Sequence, residues 1–239
     1  MTAQVPESTT SEIDTQPTRA PRGAAWPVRA SLVALALALL AACDDPSKGK
    51  TKAVTGEATS NAVEVKGSPL TGAVRYDFDQ AGSKVEWVGS KVTGKHDGGF
   101  RTFKGAVSLV DQAPEKSNVT VDIETSSLFA DNDKLTGHLK SPDFFDVAKF
   151  PKASFASTAV RKGGDKGASH TVTGNFTLHG VTKSITFPAN IKVNGGGVDV
   201  DAEFAINRKD FGLVYAGAPD DLIRDDVVIK LTIRSHKAS

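Results

Sequence analysis

Apolar and polar residues alternate with a period of two through most of the chain after Ala73. Tyr76 and Phe78 alternate with Asp77 and Asp79, and Val85, Trp87 and Gly89 with Glu86 and Val88. Val119, Val121 and Ile123 stand against Thr120, Asp122 and Glu124. The pattern recurs at Val198, Val200, Ala202, Phe204 and Ile206, and at Val227, Ile229, Leu231 and Ile233. A period of two puts successive side chains on opposite faces of half-buried strands. With the runs 100–110, 153–161, 170–178 and 181–187, about eight strands are predicted. They are joined by glycine-rich bends at GKHDGG (94–99), at KGGDKG (162–167) and at Gly195–Gly197, and hinged at His179–Gly180. Evenly spaced strands of this kind predict an all-β antiparallel barrel or sandwich. An eight-stranded barrel is just wide enough to be filled by its own side chains or to hold one small ligand.

One stretch breaks the alternation. In DNDKLTGHLKSPDFFDVAKFPKA (131–153), Leu135, His138 and Leu139 recur at helical spacing, and Asp131 is placed to cap the helix. Pro142 disfavours helical geometry at Ser141 and ends it. A further short turn then carries Phe144, Phe145 and Val147, so a helical insert is predicted over about 131–150. Two adjacent phenylalanines on so short an element do not easily share one core, and one is expected to plug an opening.

The N-terminal part has a different character. Met1–Pro21 is polar, without apolar periodicity. Arg19, Arg22 and Arg29 then precede an apolar run, Ala30–Ala42, too short to span a bilayer but suited to a signal-peptide core. It closes on Leu40, Ala41, Ala42 and Cys43, which matches the lipobox of bacterial lipoproteins; the plainer alternative is a core cysteine after a chance apolar helix. A lipobox implies an acylated Cys43, and two or more acyl chains hold a protein stably where one does not. Residues 43–72 read as a flexible tether with a reach of roughly 30 Å. The expected division is therefore 1–42 extension and signal peptide, 43–72 lipidated cysteine and tether, and 73–239 the β domain. Such a chain sits in the bacterial envelope facing the periplasm, and Asp44 leans the choice toward the inner membrane.

Charge and cysteine content narrow the function classes. Across 239 residues, 29 basic and 28 acidic side chains leave a net charge of +1. This provides no basic footprint for nucleic acid. The single cysteine excludes an internal disulfide framework and a cysteine-based zinc cluster. Five histidines in unrelated contexts are poor material for any metal site, and no cofactor is expected. His96 with Asp97, and His138 with Asp131 or Asp143, are conceivable acid–base pairs, with Ser141 or Ser157 as nucleophile. No GxSxG, HExxH or paired-carboxylate motif accompanies them, so no catalysis is expected. The DFG within RKDFG stands without other kinase motifs. Leu222, Ile223 and Arg224 interrupt the aspartates at 220, 221, 225 and 226 that would otherwise suggest calcium.

The block LTGHLKSPDFFDVAKFPKASFAS (135–157), followed in order by GNFTLHGVTKSITFP (174–188), RKDFG (208–212) and DDLIRDDVVIKL (220–231), closely resembles the YceI family of bacterial envelope proteins. The resemblance implies a lipocalin-like barrel holding a polyisoprenoid or similar amphiphile in an apolar cavity. Candidate lining residues are Trp87, Val121, Ile123, Phe144, Phe145, Phe204, Phe211 and Tyr215. Lys91, His96, His138 and Arg208 are candidates for a polar or phosphorylated head group, since charge-assisted hydrogen bonds suit phosphate oxygens. The partners implied are a lipid ligand and the membrane, with a homodimer possible from the family. Two competing readings stay open: an envelope interaction module with a filled core, and a hydrolase of lipid-linked substrates using His96 or His138.

Overall fold

The computed structural model describes residues 45–59 and 70–238. β1 (Val54–Glu57) is followed by β2 (Val74–Asp79), β3 (Lys84–Lys91), β4 (Gly94–Phe100), β5 (Phe103–Val110), β6 (Ala113–Glu124) and β7 (Leu128–Ala130). One α-helix, α1 (Asp133–Lys140), separates these from β8 (Lys152–Lys162), β9 (His170–Leu178), β10 (Val181–Asn194) and β11 (Gly197–Asn207). A short pair, β12 (Gly217–Ala218) with β13 (Asp221–Leu222), precedes β14 (Asp226–Arg234) and β15 (His236–Lys237).

The main sheet runs β15-β2-β5-β6-β8-β9-β10-β11-β14-β3-β4-β7. Only Ser235 separates β14 from β15, so one bent strand pairs with β11 along its first part and with β2 at its end. Through it the sheet curls back on itself. β2, β5, β6, β8, β9, β10, β11 and β14 form the ring, an antiparallel lipocalin-like barrel of the expected kind. β3, β4 and β7 continue the sheet past the ring. The hinge at His179–Gly180 joins β9 to β10 with both residues at positive φ, 51° and 76°, the geometry of a tight hairpin turn. Inward residues of the ring, among them Phe78, Phe103, Phe187, Phe204 and Ile206, form the main core.

Three expectations are corrected. GKHDGG is not a bend: Gly94–Phe100 is a strand, paired with β3 on one side and β7 on the other. Its glycines serve packing, because a Cβ at Gly98 would come 2.6 Å from Cε2 of Trp87 on the neighbouring strand. The α1 cap is Asn132, whose side chain accepts from the Leu135 backbone N–H at 2.8 Å, while Asp131 turns to His96. The helix ends at Ser141, extended at φ −73°, ψ 171°, as Pro142 requires.

The third correction concerns the tether, of which residues 45–59 are described. They lie on the barrel. β10 bonds to β11 only over Asn190–Asn194, and to β9 over Val181–Ala189. Where β10 and β11 part, residues 51–57 fill the gap. Val54–Glu57 pairs with β10, and on the other side the Ala53 N–H donates to the Ala205 carbonyl and the Ala205 N–H to that of Thr51, each at 2.8 Å. Lys50–Glu203 and Lys52–Asp226 ion pairs flank the contact. Polar, glycine-containing composition was compatible with a coil, but two unpaired strand edges supply hydrogen bonds that hold it. Cys43 and residues 1–42 lie outside the described residues.

Candidate functional site

The barrel encloses a cavity of about 250 Å³. Its walls run from Leu139, Phe144 and Phe145 at the α1 end to Pro114, Ser117 and Asn118, where β6 begins. Apart from Glu86, Ser117, Asn118 and Arg208, the lining side chains are apolar. The alternation of the strands puts them there: Val119, Val121 and Ile123 of β6 face inward together, as do Phe204 and Ile206 of β11. A space of this size and lining suits an apolar chain, whose burial contributes about 0.8 kcal/mol per methylene.

Six of the eight expected lining residues reach the cavity: Trp87, Val121, Ile123, Phe144, Phe145 and Phe204. Both adjacent phenylalanines do so. The turn after α1 directs Phe144 toward Trp87, Leu128 and Leu139, and Phe145 toward Phe100, with ring centroids 6.0 Å apart. Phe211 and Tyr215 are corrections. Phe211 is fully buried behind the wall, edge-on to Phe176 at 5.2 Å, because the tight turn ending at Gly212 folds it under β10. Tyr215 stands outside. Its ring lies 5.0 Å from that of Phe144 and 5.2 Å from that of His138, and His138 is 5.1 Å from Phe144. The three rings form a cover over the α1 end.

The four head-group candidates all lie toward that same end, and each is already engaged. Lys91 pairs with Asp221, His96 with Asp131 at 3.0 Å, and His138 with Asp143 at 2.9 Å. The Lys91 hydrogen bond, followed by those from Thr93, holds the Asp221 carboxyl below its ordinary pKa. Arg208 is the most heavily engaged of the four. It is buried at the cavity wall, and its guanidinium donates to the carbonyls of Leu213, Ile223 and Arg224, so it ties the 212–224 loop to the barrel with its donors already engaged. Burial lowers its pKa and the Asp225 charge opposes that shift. The fork geometry of arginine explains why one side chain serves three carbonyls.

Sequence reasoning missed part of the wall and one polar atom. Leu139, Ile223, Val227 and Ile229 also line the cavity; the first sits on the helical face already noted, and the last two on the inward face of β14. Trp87 Nε1 is buried with no hydrogen-bond partner, a state uncommon for an indole N–H. For hydrolysis the geometry offers little: the Ser141 hydroxyl donates to the His138 backbone carbonyl and not to its ring. Among the described residues, no group of three His, Cys, Asp or Glu is placed to hold a metal ion.

Comparison with known proteins adds relatives to this geometry. A family model described as a YceI-like domain matches residues 76–235. A UPF0312 protein of Pseudomonas putida is 36% identical over 169 residues, 66% of this chain and 86% of that protein. One from Pseudomonas fluorescens is 35% identical over the same shares. The crystal structure of Burkholderia cenocepacia BcnA, 24% identical, covers 65% of this chain and 98% of its own with a TM-score of 0.56. A Saccharophagus degradans structure described as a polyisoprenoid binding domain, 18% identical, covers 69% and 99% with a TM-score of 0.54. At these identities the two structures speak to the fold.

Proposed function

The chain belongs to the YceI-like family, and on that premise we propose that its barrel binds a polyisoprenoid or similar amphiphile, non-covalently and without catalysis, at the bacterial envelope. The observation that carries the reading is the cavity, apolar along nearly its whole lining and reaching from α1 to the start of β6. A prenyl or fatty chain fits such a lining through burial alone. The Saccharophagus degradans polyisoprenoid binding domain supports it by shared fold. The lipobox ending in Cys43 supports an acylated, membrane-held form that stores or hands over its ligand at one membrane, facing the periplasm.

The test is mass spectrometry on the full chain purified from membranes, first native and then after solvent extraction. A stoichiometric amphiphile released only by solvent is expected. A chain that carries none and takes up no added prenyl alcohol would overturn the reading and leave the interaction-module alternative.

A further inference from the structure

Four large apolar side chains stand in solvent around the α1 end: Val92 at 50% exposure, Val214 at 64%, Tyr215 at 37% and Leu222 at 50%. They come from two segments locked together. The Val92 N–H donates to the Leu222 carbonyl, the Arg224 N–H to the Ser90 carbonyl, and the Thr93 hydroxyl to Asp221 at 2.9 Å. Arg208 fixes the base of the same loop. The patch is therefore held in shape and adjoins the cover made by Tyr215, His138 and Phe144. Of the six exposed large hydrophobics among the described residues, only Val54 and Leu70 lie elsewhere.

The start of the described chain points to what covers this patch. Asp45 lies 3.5 Å from Arg224, at the root of the loop, and hydrogen bonds from Ser47 fix its carboxylate, at 2.9 Å from the N–H and 2.7 Å from the hydroxyl. Cys43 is two residues earlier, so it lies within about 7 Å of Asp45 along any chain path. Acyl chains on Cys43, so close to Asp45 and Arg224, would hold the bilayer near this end.

We infer that the α1 end is the membrane-facing end of the barrel: Val92, Val214, Tyr215 and Leu222 enter the lipid interface, and the Tyr215–His138–Phe144 cover is the gate through which an amphiphile passes between bilayer and cavity. The inference rests on the anchored-carrier reading above. Tyr215, 37% exposed, carries an apolar ring with a polar hydroxyl, a combination suited to a membrane interface.

The test uses the full chain with acylated Cys43 reconstituted into phosphatidylethanolamine–phosphatidylglycerol vesicles, and the Cys43→Ser chain in solution, so that an introduced thiol is the only reactive one in both. Leu222→Cys is compared with Lys116→Cys near the opposite end, each reacted with a charged, membrane-impermeant maleimide in vesicles and in detergent-free solution. Reaction at Leu222→Cys is expected to slow roughly tenfold in vesicles as the interface shields the thiol from the charged reagent, while Lys116→Cys is unchanged. Equal rates at Leu222→Cys in both settings, or protection at Lys116→Cys instead, overturn the orientation. Amphiphile content measured on the same samples separates the two failures: protection at Leu222→Cys with an empty cavity sinks the carrier reading, and a filled cavity without protection sinks only the docking.

Discussion

The indole of Trp87 on β3 lies across the backbone of Gly98 on β4, so close that a Cβ at position 98 would meet both the ring and the Phe129 carbonyl. Gly98→Ala must therefore push the indole or open the β4–β7 pairing, and is expected to cost about 2–3 kcal/mol. Gly137 in α1 is the control, because a Cβ there meets nothing within 4 Å. Gly137→Ala is expected to stabilise by about 0.5–1 kcal/mol through helix propensity. Urea unfolding of both variants checks the opposite signs.

Phe144 belongs both to the cavity wall and to the ring cover. Phe144→Asp places a charge where the ligand chain would run, so amphiphile occupancy in the purified protein is expected to fall while the far-ultraviolet circular dichroism stays that of a barrel. Loss of the β signal would instead assign Phe144 to the core alone. Extraction and mass spectrometry, together with the spectrum, make the distinction.

The bond between Asp221 and Lys91 sets a pH dependence. Because the folded state holds the Asp221 pKa below its ordinary 3.8, its contribution is complete above that value and is lost as pH falls through the lowered one. Docking of the 212–224 loop on the β3–β4 turn is expected to be constant at neutral pH and to weaken only below about pH 4. Amide exchange at Val92 and Thr93, corrected for intrinsic rates, should accelerate there, and Asp221→Asn should abolish the pH dependence.

Arg208→Ala leaves the carbonyls of Leu213, Ile223 and Arg224 without their donor in a buried setting. A loss of about 3 kcal/mol is expected in denaturant unfolding. Arg208→Lys recovers only part of it, since one ammonium cannot span the three acceptors.

Cys43 is tested by metabolic labelling. Cells given a clickable palmitate analogue should label the full chain, and Cys43→Ala should remove the label without changing the amount of protein made.

Much of the barrel was legible because period-two alternation and burial are the same fact seen twice: Val119, Val121 and Ile123 point inward in the sequence and in the structure. What escaped depends on contacts distant along the chain. A glycine-rich GKHDGG has the local chemistry of a turn, and only the Trp87 ring lying across it makes glycine a strand residue there. Phe211 and Phe204 look alike in sequence, yet the turn closed by Gly212 takes one behind the wall and leaves the other in it. Arg208 has the chemistry of a phosphate ligand, and its use for backbone carbonyls follows from a loop whose closure no local pattern announces. Ala205 held a usable signal: a small apolar residue at an outward position of β11, it is 0% exposed because residues 51–53 cover it.

That covering makes the segment before β2 a stave of the barrel. A protein shortened to begin at Ala73 would keep the ring of strands but expose the β10 edge from Lys183 to Thr186 and the backbone of Ala205, a vertical slot in the wall. Open strand edges recruit other strands, so such a fragment is set to pair with its own copies or leak its contents through the side, and recombinant work on the domain should begin no later than Asp45.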